Sequence, residues 1–309
     1  MTYRNRNIAV VISCFKPYGR LQAVVKGIHE TVDFIYLVDD CCPEKSAETV
    51  FKALRDKRIV LLKTALNQGV GGATILGFNR AIRDGADLVV KIDADGQIPP
   101  ALVEKCCSHL IENSLDCVKG NRFFAASVIR EMRVSRLLGN FALSVFFMIL
   151  IGNYRVMDVN NGLICITRST WLAINNLPMS SRYLFETDLL AHIINRGGKI
   201  STLPCPTIYF EGEHGLRVRD VWRYFLCRYL ELLKRRLAKL SADWCLLTIG
   251  VSLTICASAL MISGKSTISS LLHLSLISLL GCSCLMFLAD VLSMPVVQKF
   301  KMDEAESDR

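Results

Sequence analysis

The sequence predicts an α/β domain built on a mostly parallel sheet, followed by a pair of membrane-spanning helices. Short β-rich runs alternate with helical stretches from Ile8 to about Gly120, which is the pattern of a parallel sheet covered by helices. Farther along, residues 244–264 and 266–289 contain no Asp, Glu, Lys or Arg, and each run is long enough to cross a bilayer as a helix. Two buried core helices are the alternative, but a soluble core rarely needs two such runs in succession.

Five strands are predicted in the first part of the chain, and a ligand site is expected where they end. They fall at residues 8–12, 34–38, 59–62, 88–92 and 116–118. In open parallel sheets, ligands bind beyond the carboxyl ends of the strands. Four of these strand ends carry polar or glycine-rich segments.

The first two strand ends carry groups suited to a nucleoside. The segment SCFKP at residues 13–17, which includes Phe15, follows the first strand, and the adjacent carboxylates Asp39 and Asp40 follow the second. Carboxylate oxygens in this position can accept hydrogen bonds from base N–H groups or ribose hydroxyls. The pattern is equally consistent with Asp40 capping the helix that begins near Ala47.

The third strand end is glycine-rich. Asn67 and Gln68 are followed by Gly69, Val70, Gly71 and Gly72, which lead into a helix. Glycine allows a backbone to approach a ligand closely, although entry into a helix also explains the residues. The spacing fits neither G-x-G-x-x-G nor the Walker lysine pattern, so the stretch alone predicts no particular ligand.

The fourth strand end carries the strongest signal, two carboxylates at Asp93 and Asp95. Oxygen ligands placed two residues apart at a strand end can share one hard cation, which in turn bridges a diphosphate. An EF-hand loop does not fit, because its sixth position requires glycine and is Ile98 here. A purely structural Asp-x-Asp turn remains the alternative for this segment taken alone.

The positive charge is concentrated ahead of the first predicted span. The net charge is +9, and residues 217–239 hold eight basic and two acidic side chains, with aromatic and leucine residues at helical spacing. Such a helix lies on anionic membrane lipids, so a membrane surface, and not nucleic acid, is the expected partner. The positive-inside bias places the amino-terminal domain in the cytoplasm. The predicted organisation is a globular domain at residues 1–216, amphipathic juxtamembrane helices at 217–243, two spans within 244–297 and a cytoplasmic tail at 298–309.

The thirteen cysteines favour free thiols in a reducing cytosol. Two pairs, Cys41–Cys42 and Cys106–Cys107, are adjacent in sequence, and no C-x-x-C pair with matching histidines is present. Cysteine usage therefore predicts neither a disulfide framework nor a structural zinc site.

Six segments in this order resemble family 2 glycosyltransferases of the A-type fold. The resemblance is closest to the branch containing dolichyl-phosphate mannosyltransferase and bacterial polyprenyl-phosphate glycosyltransferases, and it extends over roughly residues 7–236. No single segment is decisive, but their order and spacing are. The segments are VDD at 38–40, NQGVGGA at 67–73, DADGQIPP at 93–100, VKGNRF at 118–123, DVNNGL at 158–163 and FETDLLAHIINRGGKI at 185–200.

The resemblance implies an A-type glycosyltransferase that moves a sugar from a UDP- or GDP-linked donor to a polyprenyl phosphate, with inversion and with Mg²⁺ or Mn²⁺. Arg122 would meet a phosphate, which also follows from the bidentate geometry of guanidinium. By role, the implied residues are Phe15, Asp39, Asp40, Asn67, Gly69 and Asp93 for the donor, Asp93, Asp95 and Gln97 for the metal, and Asp95, Arg122 and Asp188 for catalysis.

The acceptor side is predicted from basic residues and from one departure from the family pattern. Residues 134–152 are largely apolar, and we expect an in-plane interfacial helix, because Arg122 before it and Asp158 after it must share one cytoplasmic site. A Gly-Glu-Ser-Lys segment of the family reads Gly-Glu-His-Gly here at 212–215, which leaves His214 or Arg217 to replace the lysine. The candidates for a lipid phosphate are Arg133, Arg136, His214 and Arg217.

Three other functions are compatible with parts of the sequence. In the same fold, the acceptor could be a sugar hydroxyl, for which Asp188 would serve as general base. A non-catalytic membrane scaffold is disfavoured by the intact Asp93, Asp95, Gln97 and Arg122, and a small transporter by the lack of a carboxylate or basic pair in the spans. A homo-oligomer is compatible with the sequence, which does not define the oligomeric state.

Overall fold

A computed structural model describes residues 6–17, 19–124, 132, 134–151, 153, 156–210 and 229, with residues 135 and 136 described by their backbone alone. The chain divides into two compact units, Met1–Leu232 and Leu233–Arg309, and all described residues belong to the first.

One seven-stranded sheet forms the centre of this unit. Its order is β3-β2-β1-β4-β6-β5-β7, and β6 runs antiparallel to its neighbours β4 and β5 while the other pairs are parallel. The strands are β1 (Ile8–Cys14), β2 (Phe34–Asp39), β3 (Ile59–Lys63), β4 (Leu88–Asp93), β5 (Cys117–Asn121), β6 (Ile164–Thr167) and β7 (Ile200–Pro204).

Among the described residues, seven α-helices with complete bounds connect or cover these strands. The turn Arg122–Phe124 that follows β5 is a short 3₁₀ helix. The α-helices are α1 (Leu21–Lys26), α2 (Ser46–Leu54), α3 (Gly69–Arg83), α4 (Leu102–Glu112), α5 (Val134–Ile151), α6 (Arg168–Ile174) and α7 (Phe185–Asn195).

Alternate residues of the strands feed two hydrophobic clusters, one on each face of the sheet. In β1, Ala9 and Val11 join the cluster that includes residues of α3, α5, α6 and α7. Ile8, Val10 and Ile12 of the same strand join the other, which includes residues of α1, α2 and α4. The central strands are therefore buried on both faces, as parallel strands require.

The fold class predicted from the sequence is confirmed for the globular domain. The five predicted strands are all present, and each extends one to three residues beyond its predicted end. The sheet also contains β6 and β7, which were not predicted, and β6 supplies the antiparallel element. Within the apolar run predicted at residues 134–152, Val134–Ile151 form α5 as a single helix.

The predicted membrane segments lie outside the described residues. This applies to the spans at 244–264 and 266–289, the tail at 298–309, and the basic segment at 217–243 apart from Tyr229. Within the part of the chain that the structure describes, no helix combines the length and apolarity needed to cross a bilayer.

Candidate active site

The ends of β1, β2 and β4 meet at one edge of the sheet. Cys14 pairs with Asp39 across the β1–β2 ladder, and Ser13 pairs with Asp93 across the β1–β4 ladder. Asp39 in turn pairs with Lys63 at the end of β3. The polar strand ends that the sequence singled out are therefore brought together, as expected for parallel strands.

Asp40 ties the end of β2 to the start of α3. Its Oδ1 accepts hydrogen bonds from the Gln68 N–H at 2.7 Å and the Thr64 hydroxyl at 3.1 Å, and its Oδ2 accepts one from the Gly69 N–H at 2.8 Å. The alternative that Asp40 caps the helix near Ala47 is wrong, since the N-cap of α2 is Lys45 and both carboxylate oxygens of Asp40 accept the hydrogen bonds just named. Its carboxylate instead caps the helix that follows the next strand, where the dipole favours a negative charge.

Asp39 and Asn67 also hold the loops at this edge. Oδ1 of Asp39 accepts the Cys42 N–H at 2.8 Å, and Asn67 donates to the Asp40 carbonyl at 3.2 Å. Asp39 and Asp40 are both buried. The three residues thus shape the rim that was predicted to bind the donor.

The glycines at the start of α3 are required by packing within the protein. Gly69 has a φ of +84°, and a Cβ atom there would lie 2.7 Å from the Ser181 carbonyl oxygen. A Cβ atom on Gly71 would collide with the Ser180 carbonyl, and the Gly72 N–H donates to Ser181 at 2.9 Å. The loop before α7 therefore packs directly against the backbone at the start of α3, in the space that the absent side chains leave. Donor binding by Gly69 stays a prediction.

Phe15 presents an aromatic surface beside this rim. Its ring is about half exposed, and Lys16 Nζ lies 5.7 Å from the ring centroid. The backbone N–H of Lys16, a residue with a φ of +49°, donates to Cys42 Sγ at 3.3 Å. This bond fixes the loop after β1 against the loop after β2 and leaves the ring available for stacking on a flat ligand.

Asp93 is the last residue of β4, and Asp95 lies on the loop that follows it. Oδ1 of Asp95 accepts the Gln97 N–H at 2.9 Å, and the Asp95 carbonyl accepts a hydrogen bond from Arg20 at 3.2 Å. The Ile208 N–H donates to the Gln97 carbonyl at 2.9 Å, so the chain that leads toward His214 passes alongside this loop. The three predicted metal ligands thus sit on one ordered segment.

The charge of the Asp93 carboxylate suits a cation. Burial opposes ionisation, but the adjacent Lys91 ammonium outweighs it and holds the pKa of Asp93 below its ordinary value. Among the described residues, no group of three or more His, Cys, Asp or Glu is placed to hold a metal. Two carboxylates fit a cation such as Mg²⁺, which takes one or two protein carboxylates and completes its shell with phosphates and water.

A buried network of charges lies beneath this loop. Lys91 of β4 and Lys119 of β5 both pair with Ile164 of β6, one from each neighbouring strand. Both lysines are fully buried. Lys91 Nζ lies 2.6 Å from Oδ1 of Asp93 and 3.0 Å from Oε1 of Glu186, which is itself buried on α7. Lys119 donates to the Asn161 carbonyl, and burial lowers its pKa to about 8.

Arg122 is fixed by a buried carboxylate. Its Nε and Nη2 donate to Oδ2 and Oδ1 of Asp158 at 2.7 and 2.5 Å, and its backbone N–H donates to Oδ2 at 2.9 Å. Asp158 has a φ of +56°, an uncommon conformation for aspartate. Burial opposes ionisation of Asp158, but Arg122 outweighs it and lowers the pKa of that carboxyl.

Asp188 is buried near the start of α7. Its Oδ2 accepts the Ser180 N–H at 2.7 Å, which ties the helix to the loop that packs on α3. Arg133, His214, Arg217 and the side chain of Arg136 lie outside the described residues, so their predicted roles stay predictions.

Four residues near the site were not assigned a role from the sequence: Lys91, Lys119, Asp158 and Glu186. Of the two lysines, Lys91 carried a visible signal, since it interrupts the apolar run of β4. Their partners could not be read in the same way, because Glu186 and Asn161 are distant in sequence from the lysines they contact.

Solved structures of glucosyl-3-phosphoglycerate synthase share this fold. Glucosyl-3-phosphoglycerate synthase from Mycobacterium tuberculosis, in complex with Mn²⁺, UDP and glucosyl-3-phosphoglycerate, matches with a TM-score of 0.56 and 18% sequence identity. The match covers 75% of this chain and 80% of that one, and at this identity it shows the shared fold alone.

Sequence comparisons identify relatives whose own sequences are mostly covered by the match. The chain is 30% identical over 224 residues to UDP-N-acetylglucosamine–dolichyl-phosphate N-acetylglucosaminyltransferase of Methanococcus voltae, a match covering 66% of this chain and 86% of the relative. It is 26% identical over 213 residues to undecaprenyl-phosphate mannosyltransferase of Micrococcus luteus, with 66% and 86% covered. It is 24% identical over 212 residues to polyprenol monophosphomannose synthase of Mycolicibacterium smegmatis, with 67% and 78% covered.

The family profile described as "Glycosyl transferase family 2" matches residues 9–170, which include β1 to β6 and the edge where Asp39, Asp93 and Asp95 converge. With this match over more than half of its length, the chain belongs to glycosyl transferase family 2 and is a glycosyltransferase.

Proposed function

We propose that this glycosyltransferase moves a sugar from a nucleotide-sugar to a polyprenyl phosphate at the cytoplasmic face of a membrane, with inversion at the anomeric carbon and with a divalent cation. The observation that carries the proposal is the convergence of Asp39, Asp93 and Asp95 at the carboxyl edge of the sheet. Two carboxylates placed two residues apart at this edge suit a cation that must meet a diphosphate.

On the donor side, the chain's own groups bind and orient. When bound, Mg²⁺ or Mn²⁺ would neutralise charge developing on the diphosphate, and Asp93, Asp95 and Gln97 would hold it. Phe15 offers a stacking surface for the base, and Asp39 lies at the rim where a ribose or base would bind. Arg122, oriented by Asp158, supplies a fixed positive charge to the same site.

On the acceptor side, a lipid phosphate needs no general base. Such a phosphate is already anionic near neutral pH and can attack the anomeric carbon directly. Asp188 is buried and accepts the Ser180 N–H, which is consistent with a structural role for it. Of the three relatives named above, one is named for N-acetylglucosamine and two for mannose, but each name contains a dolichyl, undecaprenyl or polyprenol carrier with a phosphate.

Contact with the membrane is supported by the surface of α5. One side of this helix packs on the core through Phe147 and Leu150. The other side exposes a row of large apolar residues, as expected for a helix that lies in the membrane interface. These residues are Val134, Leu138, Phe141, Phe146 and Ile149.

Anchoring by a carboxyl-terminal hairpin is proposed from the sequence of residues 244–264 and 266–289. With both helices inserted, the amino terminus and the tail face the cytoplasm. Tags at the two ends should then resist protease added outside intact cells. Cleavage of the carboxyl-terminal tag alone would show that a single helix spans.

A donor and acceptor panel tests the activity. The full chain, purified in detergent, is incubated with UDP-N-acetylglucosamine, UDP-glucose or GDP-mannose together with polyprenyl phosphate, and the lipid fraction is weighed by mass spectrometry. We expect one donor to add a single hexose or N-acetylhexosamine mass to the lipid. Transfer only to a sugar hydroxyl would support the glycan-extending alternative. If the chain neither transfers a sugar nor hydrolyses any of the donors, the result would support the non-catalytic scaffold.

A further inference from the structure

Lys91 is a buried lysine held between carboxylates of two different elements. Its Nζ lies 2.6 Å from Oδ1 of Asp93 on its own strand and 3.0 Å from Oε1 of Glu186 on α7. It also donates to the Gly162 carbonyl at 3.3 Å. With only 1% of its side chain exposed, the ammonium group depends on these partners in place of water.

The Asp93 carboxylate is also confined from the opposite side. A Cβ atom on Gly162 would collide with Oδ2 of Asp93 and would lie 2.8 Å from its Oδ1. Glycine at this position therefore leaves the space that the carboxylate fills. Asp93 is held by an ion pair through one oxygen and by close packing on the backbone of residue 162.

We propose that Lys91 is a positioning residue that fixes the Asp93 carboxylate for the divalent cation and makes its position depend on Glu186 of α7. Alternate residues of a strand point to the same face, so Lys91 reaches Asp93 directly and α7 through the core. The same helix carries Asp188, and the loop before it packs on the start of α3. Lys91 thereby joins the cation-binding loop to the helix on the predicted acceptor side. This inference rests on the metal site of the proposed function.

Binding of Mn²⁺ to the full chain in detergent tests the inference, with free Mn²⁺ quantified by electron paramagnetic resonance with and without UDP. Lys91→Met removes the charge at similar length, and we expect the Mn²⁺ dissociation constant to rise roughly 10- to 100-fold, as when other outer partners of metal ligands are lost. Gly162→Ala changes no charge but displaces the same carboxylate, so it should also weaken binding. Lys52→Met, which removes an exposed lysine paired with Glu48, is the matched control and should change nothing.

The sign of the Lys91→Met effect separates positioning from competition. If Lys91 merely competes with the cation for Asp93, its removal tightens Mn²⁺ binding while Gly162→Ala still weakens it. Tighter binding, or an unchanged constant in folded Lys91→Met, would overturn the proposal. If the wild-type chain binds no Mn²⁺, the proposed metal site is overturned as well. If the wild type binds Mn²⁺ and the variants bind it equally well, only the positioning role is overturned.

Glu186→Gln keeps the test available if Lys91→Met does not fold. The amide keeps the shape of the side chain but removes the charge that anchors the Lys91 ammonium to α7, so Lys91 and the Asp93 carboxylate are held less firmly and Mn²⁺ binding should weaken several-fold. An unchanged constant in folded Glu186→Gln would refute the dependence on α7. Where both variants fold, Glu186→Gln should have little further effect in the Lys91→Met background, because its influence passes through the lysine.

Discussion

The guanidinium of Arg122 and the carboxylate of Asp158 form a bidentate pair in the interior, with N–O distances of 2.5 and 2.7 Å. The arginine is 5% exposed and the aspartate is fully buried. A pair this deep is expensive to break, because removal of one partner leaves the other charge without compensation. It also fixes the orientation of Arg122, which the family resemblance assigns to a phosphate.

Asp158→Asn should therefore destabilise the domain and slow catalysis. We expect a loss of about 3–5 kcal/mol in the free energy of unfolding, since the guanidinium stays buried without its counter-charge. Sugar transfer should fall at least roughly tenfold, because Arg122 loses the partner that orients it toward the donor. Thermal unfolding and initial transfer rates measure the two effects.

The matched control for this variant is Asp56→Asn. Asp56 also pairs with an arginine through more than one hydrogen bond, but at the surface, where both side chains are partly exposed. A surface pair contributes roughly 0–1 kcal/mol, so this variant should keep both stability and activity. Equal effects of Asp56→Asn and Asp158→Asn would contradict the special role given to the buried pair.

Much of the architecture could be predicted because its signals are local. The strands at residues 8–12, 34–38 and 88–92 are apolar runs of the expected length, and the polar residues just after them mark the edge where ligands bind. The strand β6 has only four residues, and β7 ends in proline, so neither carried a comparable signal.

The parts that could not be predicted depend on contacts between distant segments. The role of Asp40 was one such case, since its carboxylate caps α3, more than 25 residues away, and not the next helix. The start of α3 was another, because its glycines face the loop at Ser180 and Ser181. The sequence showed a lysine inside β4, but only the fold shows that Glu186 compensates it.

Removal of the cation should abolish activity without unfolding the domain. Two carboxylates facing a diphosphate repel it unless a cation intervenes. Asp95→Asn removes one charge but keeps an oxygen for the Gln97 N–H, so the loop should remain folded while transfer falls by more than about a hundredfold. Chelation of the wild-type chain should have the same effect, reversed by added Mn²⁺ or Mg²⁺. Full turnover in excess chelator would refute the metal assignment.

Burial of Lys119 predicts that stability rises at alkaline pH. Burial lowers the pKa of Lys119 from 10.5 to about 8, against the opposing influence of Glu186 and Asp158. Between these two pH values the unfolded chain binds more protons than the folded one, so the free energy of unfolding increases with pH. Below about pH 8 both states are protonated, and the cost of the buried charge, roughly 3 kcal/mol, is fully present.

Lys119→Met should remove this contribution. Unfolding midpoints of the variant and the wild type, measured in parallel from pH 7.5 to 10.5, isolate the lysine from the other groups that titrate in this range. We expect the unfolding midpoint of the variant to exceed that of the wild type by the largest margin near pH 7.5 and by the smallest margin near pH 10.5. A difference between the two proteins that does not change with pH would show that Lys119 keeps an ordinary pKa.

The identity of the acceptor is decided at Asp188. A sugar hydroxyl must lose a proton as it attacks, and a positioned base typically contributes a factor of roughly 100 to 10,000 in rate. A lipid phosphate needs no such base. Because Asp188 is buried and accepts the Ser180 N–H at 2.7 Å, the described structure already gives this carboxylate a contact that an asparagine oxygen could retain.

Asp188→Asn should consequently reduce transfer by less than about tenfold if the acceptor is a lipid phosphate, well short of the loss of a general base. Initial rates with polyprenyl phosphate measure this, and Asp188→Ala, which also removes the acceptor for the Ser180 N–H, shows how much of any loss is structural. The product should partition into organic solvent and release its sugar in mild acid, as a glycosyl phosphate ester does. A collapse in rate with Asp188→Asn, accompanied by a water-soluble and acid-stable product, would overturn the lipid acceptor and establish Asp188 as the base of a glycan-extending enzyme.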